Sequence, residues 1–390
     1  MRLLLVTRED HADRRYGLGQ SLVPLADALT KRGHHVRYLC RADRSLRNER
    51  LLHSAHRGLV AVLRPWWEEA DDFLRAFLER VDMGRLAAKV AARERYTHVH
   101  LHDPWLAFGY RLFARVHRQR GVLWGVTEHG FGCYSQATFE DGLRQGPRLM
   151  RLLRRLEASI LAAADWVIGP TQAALQQLSG DLSLSALSRH WYAIPHARPA
   201  LTLTDRATAR KQLGWSPDAL YVLGVGRLVP LKCFPLLIDA VATLPGDVRL
   251  VLLGDGDRES LRRHGEKAGL RYPIEFAVTD NVGLYLSAAD IYVSTSSSES
   301  FGLANLEALT AGIAVLCTSV GGVPEVMGNA AWLVPRDSEA LQGALAILAA
   351  DPGMRAQFAA RGRARAAAWP DINTIAERYE RIYLGNPGGV

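Results

Sequence analysis

Residues 221–257, YVLGVGRLVPLKCFPLLIDAVATLPGDVRLVLLGDGD, decide the fold. Tyr221 to Gly226 is a short apolar run that ends on glycine, Pro235 to Ala242 reads as a helix, and Val248 to Leu253 is a second apolar run that again meets glycine. A continuously apolar strand leaves no face for water, so the two runs predict parallel strands covered on both sides and joined by a crossover helix. Downstream the alternation continues with a polar helix near Arg258 to Ala268 and strands at Ile291–Thr295, Ala314–Thr318 and Trp332–Val334. Upstream it recurs at Arg2–Thr7, His35–Cys40, Thr97–His102, Gly121–Thr127 and Trp166–Gly169, with Leu22, Leu25, Ala26 and Leu29 at helical spacing. The pattern breaks at Ile194-Pro-His-Ala-Arg-Pro199. The expectation is α/β: two doubly wound domains facing a cleft, over residues 1–199 and 200–367, with a helical segment at 368–390 packing back on the first. A length of 390 residues suits two domains, since single cores stop growing near about 250 to 300 residues.

Composition narrows the class. With 48% hydrophobic and 23% charged residues the chain is neither collagen-like nor wholly disordered. Cys40, Cys133, Cys233 and Cys317 form no CxxC pair, which argues against a disulfide framework or zinc knuckle and points to the reducing cytoplasm. Met1 to Thr7 is too short for a signal-peptide core. No run approaches the roughly 20 apolar residues that span a bilayer, so membrane contact is expected to be peripheral, at the inner face.

The net charge of +8 is unevenly placed: residues 1–200 carry 30 basic and 20 acidic side chains, residues 201–390 carry 18 and 20. A basic first half implies an anionic partner. Arg41, Arg44, Arg47 and Arg50 recur at i, i+3, and Arg144, Arg148, Arg151 and Arg155 line a helical face opposite Leu149, Leu152, Leu156 and Ile160, with Trp66 and Trp67 nearby. Such helices suit an anionic membrane or simply a solvated surface.

Chemistry in doubly wound sheets sits in the loops after strands. Gly224-Val-Gly226-Arg227 to Lys232 places two cations around a turn, suited to a diphosphate. Gly254-Asp-Gly256 permits a sharp turn and close ligand approach. Neither extends to GxGxxG, so nicotinamide chemistry loses its main support. Ser296-Ser-Ser-Glu299-Ser-Phe301-Gly302-Leu-Ala-Asn-Leu-Glu307 carries a carboxylate in a loop, a helix start near Gly302 or Leu303 suited to phosphate, and a second carboxylate within about two turns.

Together these motifs resemble the retaining GT-B glycosyltransferases of family 4 (glycosyl transferases group 1). The likeness lies in Glu299, Phe301, Gly302, Glu307, Ala308, Gly312, Gly321, Gly322, Pro324 and Glu325, with Gly226, Arg227, Lys232 and the Gly254/Gly256 loop. It is specific over residues 221–335 and diffuse elsewhere. The resemblance implies GT-B architecture with two Rossmann-like domains, the second holding a nucleotide-diphosphate sugar, UDP-sugar ahead of GDP-sugar. Arg227 and Lys232 would bind the diphosphate, Glu307 the ribose and Glu299 the sugar, while backbone N–H groups at Phe301, Gly302, Leu303 and Ala304 contact sugar and phosphate. It implies no metal and no cofactor beyond the donor.

Thr127-Glu-His129-Gly130 resembles the family's His-Gly turn, which puts His129 against the sugar, and Gly17 to Gly19 resembles its first-strand glycine loop. Where many relatives have an Asn-Gly pair, this chain has Pro195-His196-Ala197. Residues 41–95 match nothing recognisable. His98-x-His100-x-His102 puts three imidazoles on one strand face, either as metal ligands or as a buried strand whose end, His102 and Asp103, reaches the cleft. The function expected is transfer of a sugar with retention to a hydroxyl acceptor, acidic or lipid-linked, in cell-surface polysaccharide, glycolipid or other glycoconjugate synthesis. The alternatives are a nucleotide-sugar epimerase or a sugar phosphorylase on the same architecture, and a nucleic-acid binder, which leaves the Glu299 to Glu325 pattern unexplained.

Overall fold

The computed structural model describes residues 1–12, 18–64, 67, 70–117, 121–140, 143, 146–184 and 187–387, and only the backbone at 46–51, 55 and 140. The chain forms two compact units, Met1–His196 with Ile372–Val390, and Ala197–Asp371. Both are α/β, each built on a six-stranded parallel sheet.

The first unit holds strands β1 (Arg2–Val6), β2 (His35–Leu39), β3 (His98–Leu101), β4 (Leu123–Thr127), β5 (Trp166–Gly169) and β6 (Trp191–Ala193). Its helices are α1 (Gly19–Lys31), α2 (Leu46–Leu63), α3 (Ala70–Arg93), α4 (Pro104–Val116), α5 (Tyr134–Glu140), α6 (Pro147–Ala163) and α7 (Gln172–Asp181). The sheet order is β2-β1-β3-β4-β5-β6. Leu3 to Val6 are fully buried because β1 lies between two strands and under helices on both faces. Asp103 starts α4 by accepting from the N–H groups of Trp105 (2.7 Å) and Leu106 (3.0 Å), with Pro104 at the first helical position. The unplaced stretch 41–95 is largely two helices, α2 and α3, and the short strand β6 was not anticipated.

The second unit runs through α8 (Arg206–Leu213), β7 (Leu220–Val225), α9 (Phe234–Ala242), β8 (Val248–Leu253), α10 (Arg258–Ala268), β9 (Glu275–Ala277), α11 (Val282–Ala288) and β10 (Ile291–Ser294). It continues through α12 (Leu303–Ala311), β11 (Ala314–Thr318), α13 (Val323–Met327), β12 (Trp332–Val334), α14 (Ser338–Ala350) and α15 (Pro352–Ala367). Strand order is β12-β11-β10-β7-β8-β9. Apolar clusters cover both faces of this sheet, one around Tyr221, Phe301 and Val315, the other around Val222, Leu237 and Leu345.

The last helix, α16 (Ile372–Tyr383), belongs to the first unit, where it packs on α1 and β3. The side chain of Arg32 and His34 Nε2 (2.6 Å) both meet Glu380. Sequence placed the divisions at 199/200 and 367/368; the contacts place them at 196/197 and 371/372.

Candidate functional site

Each sheet has one place where strand order reverses, between β7 and β10 in the second unit and between β1 and β3 in the first. Loops leaving the strands there turn opposite ways and open a crevice, the position ligands take on such sheets.

In the second unit the crevice is built by loops in backbone contact. Gly226 (φ +151°) and Gly254 (φ +154°) let the loops after β7 and β8 touch, since a Cβ on Gly254 would lie 1.9 Å from the Gly226 carbonyl oxygen. The Gly226 N–H donates to Leu253 (2.9 Å) and the Leu228 N–H to Asp255 (2.7 Å), with Leu228 and Gly256 forming an isolated bridge. Arg227 projects from this platform, exposed and making no ion pair with any described residue. Lys232 closes a 3-10 turn, Pro230–Lys232, and its ammonium donates to Glu299 Oε1.

Glu299 also accepts from Ser296 Oγ at 2.9 Å. Its loop is latched to both neighbours: Ser297 N–H donates to Leu231 (2.9 Å), Thr295 Oγ1 to Lys232 (2.9 Å), and Gly322 N–H to the Glu299 carbonyl (2.9 Å). Phe301, 2% exposed, anchors the loop in the core and meets Trp369 edge-on, centroids 5.9 Å apart. Gly302, left-handed at φ +82°, turns the chain into α12, whose first N–H groups, at Leu303 and Ala304, precede the helical ladder. Glu307, in the second turn, is buried. An anion entering here would meet the Arg227 guanidinium, the Lys232 ammonium and the positive end of α12. Sequence had read Lys232 as one of two cations around a turn; the structure adds that it is paired with Glu299.

In the first unit, His129 follows β4 and is half-buried. Its Nε2 lies 3.0 Å from His102 Nδ1, and its ring is parallel to that of His196, centroids 6.1 Å apart. Burial first, then the imidazoles of His102 and His196 and the cation of Arg8, hold its pKa well below the ordinary value. Asp103 Oδ2 accepts from Tyr134 OH (2.7 Å) and Arg80 Nε (3.1 Å), and exposed Arg8, just after β1, donates to Tyr134 OH (3.2 Å). Glu128 is 2% exposed, and neither of its carboxyl oxygens has a hydrogen-bond partner among the described residues. Burial, Glu157 and Asp103 push its pKa well up. Gly19 is the buried first residue of α1; Gly17 lies outside the described residues.

The His-rich strand divides its labour. His98 Nε2 lies 3.0 Å from the Tyr383 carbonyl, His100 bridges Tyr383 OH and Thr127 Oγ1 at 2.7 Å each, and His102 turns to His129. No group of three or more metal-ligating side chains forms among the described residues. Sequence reasoning missed Glu128, although it adjoins His129, and Arg8; a position at the carboxyl end of a parallel strand, β4 for Glu128 and β1 at the reversal for Arg8, would have flagged both.

The first basic stretch is no free helical face. Arg41 pairs with Asp10 (3.2 Å) and Glu79, and Arg44 with Glu79 (3.5 Å) and Asp82 (3.3 Å). The side chains of Arg47 and Arg50, and all of Arg144 and Trp66, lie outside the described residues. On α6, Arg148, Arg151 and Arg155 are exposed, and so is Leu152 at 61%, which sequence had placed on the packed side. Among the described residues no helix is long and apolar enough to cross a membrane.

Residues 205–365 match the family described as glycosyl transferases group 1, and residues 16–190 the glycosyl transferase 4-like domain. A D-inositol 3-phosphate glycosyltransferase of Actinosynnema mirum is 30% identical over 386 residues, covering 90% of this chain and 89% of that one. A second enzyme of that name, from Streptomyces bingchenggensis, is 33% identical over 221 residues, 51% of this chain and 48% of its own length. Among solved structures, sucrose-phosphate synthase from Thermosynechococcus elongatus superposes with a TM-score of 0.75 at 21% identity, covering 98% of both chains. Anabaena HepE in complex with UDP-glucose gives 0.73 at 18%, covering 99% of this chain and all of that one. The two family matches fall one on each α/β unit, and a relative aligns along nine-tenths of the length; this chain belongs to the GT-B glycosyltransferases.

Proposed function

We propose that this glycosyltransferase moves a sugar from a nucleoside-diphosphate donor, UDP-sugar ahead of GDP-sugar, to a hydroxyl acceptor with retention of configuration and without a metal or further cofactor. The observation that carries the reading is the convergence of Arg227, the Lys232–Glu299 pair and the start of α12 at the strand reversal of the second unit. The UDP-glucose complex of HepE, a structural neighbour, supports the donor class.

In this mechanism the diphosphate competes with Glu299 for Lys232. The released carboxylate turns to the sugar hydroxyls, so one cation changes partner as the donor seats. Arg227 and Lys232 then hold the charge that grows on the departing phosphate, the electrostatic term that usually dominates such steps. Glu307 takes the ribose and the N–H groups from Phe301 to Ala304 hold phosphate and sugar; the family resemblance assigns His129 to the sugar and the Gly17–Gly19 loop to the donor phosphate. The acceptor hydroxyl attacks from the leaving-group face and its proton passes to the departing phosphate oxygen. The inositol phosphate named in two relatives supports an acidic acceptor, in keeping with the basic first half. The exposed face of α6 suits a lipid-linked one at the inner membrane surface. The relatives favour transfer over the epimerase and phosphorylase alternatives.

The test is thermal shift with UDP, GDP and ADP and their sugars, then NMR of the anomeric configuration of the product, with and without EDTA. Arg227→Ala and Lys232→Ala should each lower kcat/KM by about 100-fold or more, about 2.7 kcal/mol. Full activity in either, an inverted product or loss of activity in EDTA would overturn the corresponding part.

A further inference from the structure

Two loops flank the strand reversal of the first unit, one leaving β1 and one leaving β3, and each brings a charged side chain to it. Arg8 comes from the first and Asp103 from the second. Tyr134 joins them. Its hydroxyl donates to Asp103 Oδ2 (2.7 Å) and accepts from Arg80 Nε (2.7 Å) and Arg8 Nη1 (3.2 Å), so two guanidinium groups and one carboxylate meet at a single phenol.

The charges at this phenol do not balance. Asp103 is 1% exposed and its carboxylate is fully engaged: Oδ2 faces Arg80 Nε at 3.1 Å, and Oδ1 accepts the N–H groups that start α4. Tyr134 supplies no negative charge, because burial first, then Asp103, push its pKa well above the ordinary value and keep the phenol neutral. The carboxylates next to Arg8 in the sequence face other groups, Glu9 the Leu18 N–H (3.4 Å) and Asp10 the Arg41 guanidinium (3.2 Å). Arg41, Arg44 and Arg80 each have a carboxylate partner. Arg8 is exposed and makes no ion pair with any described residue.

A guanidinium presents a flat fork of N–H donors that matches the oxygens of a phosphate. Arg8 is already held in place, by its bond to the Tyr134 hydroxyl and by the Tyr134 ring, whose centroid lies 5.9 Å from its guanidinium carbon. A cation fixed before the ligand arrives loses less freedom on binding. We propose that Arg8, held on Tyr134, is the receptor for a phosphate group carried by the acceptor. The donor's diphosphate has Arg227, Lys232 and the start of α12 in the second unit, which leaves this cation of the first unit to the other substrate. Arg8 also acts on His129, the residue proposed to meet the sugar. The assignment to the acceptor rests on the acidic-acceptor reading above; the anion receptor itself does not.

Tyr134, 9% exposed, is a built-in reporter that barely meets solvent. In the first arm the full chain is labelled with 13C at tyrosine Cζ, the Tyr134 signal is assigned with Tyr134→Phe, and inorganic phosphate is titrated against chloride at constant ionic strength. Expected is a saturable shift of the Tyr134 signal in the wild type that is lost in Arg8→Gln. No shift in the wild type, or the same shift in Arg8→Gln, overturns the receptor. In the second arm the probes are D-inositol 3-phosphate and the uncharged myo-inositol. Arg8→Gln should lower kcat/KM for the phosphorylated probe about 10-fold or more through KM, and leave both myo-inositol and the affinity for the best-bound of UDP, GDP and ADP unchanged. Equal losses with the two inositols, or a loss of nucleotide affinity with the acceptor KM unchanged, overturn the assignment to the acceptor. If the wild type transfers no sugar to D-inositol 3-phosphate, the acidic-acceptor reading fails for this probe, and the phosphate titration alone decides the receptor. Arg8 is exposed, so the Gln variant should melt with the wild type.

Discussion

Glu128 shows most directly what one residue can cost. Its carboxyl lies in the strand-end layer beside Glu157 and Asp103 with no described partner, so ionisation means desolvated charge among like charges. Its folded pKa lies above the unfolded value of 4.5. The stability it contributes as a neutral group is therefore complete below about pH 4.5 and lost as pH rises through the folded pKa. Glu128→Gln should match or slightly exceed wild type at pH 5 and be about 1 to 3 kcal/mol more stable than wild type at pH 8, read from urea unfolding at both values. Equal differences at the two pH values would show that Glu128 has a partner after all. Of the residues in the candidate site, Arg227, Lys232, Glu299, Phe301 and Gly302 were legible as motifs, whereas the pairing of Lys232 with Glu299 was not, because the two stand 67 positions apart. Glu128 and the pairing of His102 with His129 were illegible because their neighbours, Asp103 at the start of α4, Glu157 on α6 and His102 at the end of β3, stand far off in the sequence.

At the scale of elements, strands and helices were legible almost throughout, since a buried parallel strand writes itself as an unbroken apolar run, as in Leu250 to Leu253. Exceptions were short or edge pieces such as β6 and β9, where three residues carry too little period to read. The glycine platform was read as a ligand turn; the structure adds that it is also a contact between loops. Gly254→Ala should therefore destabilise the second unit by about 1 to 3 kcal/mol, since both the positive φ and the Gly226 oxygen oppose a Cβ. A urea midpoint unchanged from wild type would mean that the two loops part without cost.

The whole molecule distributes its charge by half, and the exposed face of α6 carries three arginines that make no ion pair with any described residue. Arg148, Arg151 and Arg155 share that face with Leu152, whereas Arg41 and Arg44 are tied to acidic neighbours. Phosphatidylserine vesicles should bind the wild type and lose about 100-fold or more in affinity with Arg148→Glu/Arg151→Glu/Arg155→Glu, at roughly 1 kcal/mol per arginine. Arg41→Glu should leave vesicle binding unchanged. Equal binding to neutral vesicles would remove the membrane from the account.

The return of α16 to the first unit has a consequence in time. During synthesis the sheet of that unit is complete once Trp191–Ala193 has emerged, yet its closing helix follows about 175 residues later. At translation speeds of roughly 5 to 20 residues per second, that delay is on the order of 10 to 35 seconds. For that interval the nascent strand β3 holds His98 and His100 without the tyrosine that later seals them. The second unit, a single uninterrupted stretch, can fold on the ribosome in the meantime. The first unit, though begun earlier, is the last to be finished.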